Sequence, residues 1–108
     1  MTWHETHERL RILREVEATA AADMSGRLPW RESWSGSFGD RAGLLVALRE
    51  RWDRMCDVQL DELTSPERVR ETERRLRRTH AGVLRILESH GLVGLPEGRG
   101  PAPPLEAA

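Results

Sequence analysis

Apolar residues recur at helical spacing in three stretches of the chain, and each stretch carries its own start and stop signals. In the first, Trp3, Leu10, Leu13, Val16, Ala20 and Met24 fall on one side of a helix, the period expected of an amphipathic segment with one buried stripe. Thr2-Trp3-His4-Glu5 before it has the form of a capping box, in which the Thr hydroxyl and the Glu carboxylate each satisfy an unpaired backbone N–H. Gly26 follows as a left-handed stop, so this pattern predicts a helix over about residues 3–24. In the second stretch, Leu44, Leu45, Leu48, Trp52, Met55, Cys56, Leu60 and Leu63 form a broad apolar face, opposed by Arg49, Glu50, Asp53, Arg54, Asp57 and Asp61. With Asp40 as N-cap, the expected helix covers about 41–63.

The third stretch places Val69, Leu76, Val83, Leu84 and Leu87 inward, with Thr72 and His80 beside them, and predicts one helix over about 66–90. Pro66 suits a first helical position, and Thr64 with Glu67 has capping-box spacing. Gly91 then supplies the left-handed residue of a Schellman ending, with Leu92 folding back on the last turn. The connection between the second and third helices is so short that they must pack as an antiparallel hairpin.

Between the first two helices, residues 26–39 break the period with Pro29 and three glycines, yet carry Leu28, Trp30, Trp34 and Phe38. A merely solvated linker would not hold so much aromatic surface, so an ordered loop folded over the bundle is expected. Beyond Val93, residues 94–108 are rich in Pro and Gly and have too little apolar content to offset the entropy of ordering; a disordered tail is expected. The fold class predicted is all-α. It is an elongated three-helix bundle of roughly 30–35 Å, in a domain spanning 1–93, with the aromatic loop between helices one and two.

Composition narrows the classes. The chain of 108 residues is 38% hydrophobic and 32% charged, a mixture suited to helices that hide one stripe and expose a wide polar face. It has no apolar run of about 18 residues that would span a membrane, and its polar start does not read as a secretory signal. One cysteine, Cys56, forms no internal disulfide and points to a reducing, cytoplasmic setting. Every basic residue except the histidines is arginine, which, with abundant Ala, Gly, Leu and Pro, reads as the coding bias of a GC-rich genome.

Charge is uneven. The net charge is −1 overall, but residues 66–91 hold seven Arg against four Glu, while residues 1–25 and 40–64 are each net acidic. Arg70, Arg74, Arg77, Arg78 and Arg85 occupy neighbouring outward positions and offer a row of guanidiniums to phosphates. Glu71–Arg75 and Glu73–Arg77 also have i,i+4 spacing, so a solvated, salt-bridged face is the ordinary alternative. Trp30, Trp34 and Phe38 recur every four residues and, with Trp52, form a candidate protein interface, since aromatic rings concentrate at interface hot spots. The competing reading has the loop rings closing the open end of the bundle.

No catalytic constellation emerges. His4, His7 and Glu8 share a helix face but miss the His-Glu-x-x-His zinc-protease spacing and lack a third ligand, so no metal or other cofactor is expected. Cys56 lies on an apolar face as a structural thiol. Ser33, Ser35 and Ser37 have no nucleophile elbow around them, and there is no phosphate-binding glycine loop.

The Trp3-His4-Glu5-Thr6-His7 start, the Leu28-Pro29-Trp30 turn, Phe38-Gly39-Asp40-Arg41 and the Arg51-Trp52 pair together resemble short, uncharacterised all-helical proteins of actinobacteria. The resemblance covers about residues 2–90 and assigns no activity or functional residue. The expected function is a non-enzymatic interaction or regulatory module that binds a protein partner or itself as a homodimer. The alternative is a nucleic-acid-binding accessory protein working through the arginines of the third helix. No membrane and no small-molecule substrate are implied.

Overall fold

The computed structural model describes residues 2–92 and is all-α among them. Its helices are α1 (Trp3–Asp23), α2 (Ser35–Phe38, entered through a 3-10 turn at Glu32–Trp34), α3 (Arg41–Leu60), α4 (Pro66–Thr79) and α5 (Ala81–Ser89). The tail expected at 94–108 lies outside the described residues. Among the described residues no helix is long and apolar enough to cross a membrane.

α1 begins with the reciprocal cap expected of it: Thr2 Oγ1 accepts from the Glu5 N–H at 3.1 Å, and Glu5 Oε1 accepts from the Thr2 N–H at 2.8 Å. Its end differs from expectation. The left-handed residue is Met24, at φ 53°, whose N–H reaches Ala20 O, while Gly26 follows in a second positive-φ turn. Its buried line is also shifted: Ile12, Leu13, Val16 and Ala20 are interior, Leu10 is half-buried, and Trp3 stands 73% exposed. Trp3 lies against His7, with ring centroids 4.0 Å apart and the rings tilted by 44°.

α3 is capped by Asp40, whose Oδ1 accepts from the Gly43 N–H at 2.9 Å. It buries Leu44, Ala47, Leu48, Trp52, Cys56 and Leu60. The helix stops at Leu60, short of the predicted 63, yet Leu63 still packs partly buried against the core. α4 starts from Ser65, which accepts from the Arg68 N–H, so the cap is Ser65 and not Thr64. With Pro66 at the first helical position, the N-cap must be the residue before it.

The largest departure is in the third predicted helix. It is divided at His80 (φ −113°, ψ 30°) into α4 and α5. No proline causes the break. Gly82, two residues on, seats its backbone against α1: a Cβ added there would lie 2.5 Å from the Ala20 carbonyl carbon and 2.8 Å from the Ala21 nitrogen. α5 lies closest along α1, and it buries Val83, Leu84, Ile86 and Leu87. It ends as a Schellman motif, with the Leu92 N–H on Leu87 O at 2.7 Å, the Gly91 N–H on Glu88 O at 3.1 Å, and Leu92 against the core. The interior thus joins residues from α1, α2, α3, α4 and α5 in one cluster.

Candidate nucleic-acid interface

α4 reads PERVRETERRLRRT, six arginines and three glutamates in 14 residues. Its ends suit the helix dipole, with Glu67 in the first turn and Arg77 and Arg78 in the last. Thr72 and Leu76 are buried and Val69 is half-buried, which sets the inward side. At 3.6 residues per turn, Arg70, Arg74, Arg77 and Arg78 fall within about 100° of one another on the opposite side. All four are exposed, as are the flanking Arg68 and Arg75. Successive guanidiniums along this row stand about 6 Å apart at their roots, the spacing of i,i+4 neighbours.

Several arginines outside α4 close ion pairs. Arg11 bonds Glu8 at 2.6 Å and also reaches Glu15; Arg49 meets Asp53 at 3.2 Å; Arg51 meets Glu17 at 2.6 Å, joining α3 to α1. The Arg11 hydrogen bond holds Glu8 below the usual carboxylate range and raises Arg11 in turn. On α4, among the described residues, no arginine is in ion-pair range of a carboxylate. The Glu71–Arg75 and Glu73–Arg77 pairs that the spacing offers are not made. Arg70–Arg74 and Arg74–Arg78 instead place like charges at i,i+4, each disfavoured by about 0.2–0.5 kcal/mol. The face therefore carries four arginines beside the exposed Glu67 and Glu71, a net positive charge with no closed ion pair among the described residues.

Arg85, grouped with this row on the sequence, does not join it. It is exposed but belongs to α5, beyond the His80 break, with its carbonyl toward Gly26. Arg68 and Arg75 are missing from the sequence-level set, although their exposure flanks the same row; a count of cations per turn would have found them.

The aromatic residues offered as a protein interface are mostly interior. Trp34, Phe38 and Trp52 are 3%, 9% and 1% exposed, and only Trp30 is half-buried. This corrects the interface assignment: three of the four rings close the chain's own core. Trp30 packs edge-on against Trp34 at 6.2 Å and donates its Nε1–H to Glu32 at 3.1 Å. Arg9 clamps the segment to α1 by donating to Ser37 O at 2.6 Å while lying over the Phe38 ring. Arg31 lies over Trp34 and bridges to Glu15 at 2.7 Å.

The remaining candidates resolve simply. His4, His7 and Glu8 line a shallow exposed surface of α1, and among the described residues no three His, Cys, Asp or Glu side chains are grouped to hold a metal. Cys56 is fully buried. His80 sits at the α4–α5 break with its ring 5.6 Å from Trp52, edge to face. Burial pushes its pKa down and Arg51 adds to that, while Glu17 pulls the other way.

Comparisons with protein-family models, with curated proteins and with solved structures find no match for this chain.

Proposed function

We propose that this chain is a non-enzymatic nucleic-acid-binding accessory protein that grips the phosphate backbone with the arginine face of α4. The observation that carries the reading is the row Arg70, Arg74, Arg77 and Arg78, exposed along one side of one helix and closing no ion pair with the glutamates spaced to meet it. Guanidiniums spaced along a rigid rod suit phosphate oxygens, which they bind bidentately. Phosphate contacts fix register but read no sequence, so binding by this face is sequence-independent. The frame for this role is a bundle of three rods, α1, α3 and the bent α4–α5 pair, with α4's inner face committed to the core and only its cationic side left to a partner. Action in the cytoplasm is consistent with a single cysteine held inside the core.

Fluorescence anisotropy with duplex and single-stranded oligonucleotides across a salt series tests this. For three to four neutralised phosphates, log K falls against log salt with a slope of about −3 on duplex DNA. The variant with Arg70, Arg74, Arg77 and Arg78 all replaced by Gln should lose both affinity and slope while remaining folded by circular dichroism. Absence of binding at low ionic strength, or binding that the fourfold variant retains, ends the proposal.

A further inference from the structure

A second cationic feature lies apart from the α4 row. Where α1 ends, the chain turns through Gly26, Arg27 and Leu28 and meets the first turns of α3 and the end of α5, leaving an open cleft of about 690 Å³. That volume is in the range of small-molecule sites. Arg27, Arg41 and His90 supply its polar chemistry beside Ser89, while Leu28 and Leu45 supply an apolar floor. No Asp or Glu lines it, and among the described residues neither Arg27 nor Arg41 is in ion-pair range of a carboxylate.

The walls are held in place. Ser89 donates its hydroxyl to Gly26 O at 2.7 Å, tying the loop that carries Arg27 to α5. Gly26 takes φ +82°, which strains any side chain, and a Cβ there would stand 3.2 Å from Arg85 O. The Arg27 N–H is fixed on Ser25 Oγ at 3.1 Å. His90 Nδ1 is 2.8 Å from Ile86 O. A carbonyl only accepts, so Nδ1 carries the proton there and Nε2 is left as the ring's second polar atom.

We propose that this cleft binds a phosphate monoester bearing a small apolar group. Two guanidiniums match a phosphate dianion better than a singly charged carboxylate, and Arg is the side chain suited to phosphate oxygens. The leucines then take the apolar substituent. The chain's sequence carries no phosphate-binding motif, because the site is assembled from three separated segments and uses side chains in place of a glycine loop.

Phenyl phosphate is the probe, followed by 1H–15N NMR on the full chain with inorganic phosphate and phenol as controls. The expected result is saturable shifts at the amides of Gly26, Arg27, Ala42 and Leu45, with phenyl phosphate tighter than inorganic phosphate and phenol silent. Arg27→Gln and Arg41→Gln should each weaken binding about tenfold, the loss of one charge-assisted contact. The fourfold α4 variant should bind phenyl phosphate as wild type does, which separates this site from the nucleic-acid face. Shifts confined to α4, no saturation at millimolar probe, or affinity unchanged in both cleft variants with their spectra otherwise native, each overturns the proposal.

Discussion

α4 and α5 occupy one continuous stretch that reads as a single amphipathic helix, yet they live in different environments. α5 is nine residues long and buries Gly82, Val83, Leu84, Ile86 and Leu87, with its backbone pressed on α1. α4 is 14 residues long and fully buries only Thr72 and Leu76, and nine of its residues are Arg or Glu. One half is a wedge that the core needs, and the other is a flange that the core merely anchors. The bend at His80 separates the two duties. Close backbone packing is concentrated in α5, and exposed like charges in α4.

The strongest challenge to that division is Gly82→Ala. The added methyl has no room against Ala20 and Ala21, and overpacking at a rigid contact should cost about 3 kcal/mol, lowering Tm by about 12 °C or more. A loss under about 1 kcal/mol by urea denaturation would mean α5 is not seated as described. Next in size is the pH response of the joint. His80 has a folded pKa below its ordinary value of 6.5, chiefly through burial. The folded state therefore binds its proton less readily than the unfolded chain, so this contribution is fully present above pH 6.5 and is lost as pH falls from there through the lower folded value. The wild type should destabilise on acidification more steeply than His80→Gln; parallel pH curves for the two would remove the effect. The smallest expected change is Arg74→Gln. Its neighbours at i−4 and i+4 are both arginine, so folding stability should stay within about 0.5 kcal/mol of wild type. A loss above about 1 kcal/mol would show that the cationic face is part of the framework.

Much of the architecture was legible beforehand because its signals are local. The Thr2–Glu5 box, the Asp40 cap and the Gly91–Leu92 ending are each decided within four or five residues. The interior choice between Leu10 and Ile12 was not, since both fit a helical period; the tertiary packing of α1 buries Ile12, which is 1% exposed. The cap of α4 is ambiguous in the sequence because two hydroxyl residues precede Pro66, and the structure selects Ser65. Of the candidate sites, the row of four on α4 could be seen in the sequence, being periodic on one helix. The cleft could not, for it gathers Arg27, Arg41 and His90 from distant parts of the chain.

By itself the sequence determined that this protein is helical, where most helices begin, and that positive charge collects in its third stretch. Those properties follow from near-neighbour hydrogen bonds and from the spacing of apolar and charged residues. Only the tertiary structure decided three further matters. It turned Trp34, Phe38 and Trp52 from a prospective docking surface into core, divided the last helix at His80, and left the α4 arginines without the ion pairs their spacing offered. In the first two cases the deciding quantity is a contact between distant segments, the rings closing into the core and Gly82 lodged on Ala20; in the third it is a side-chain geometry that local spacing permits but does not impose.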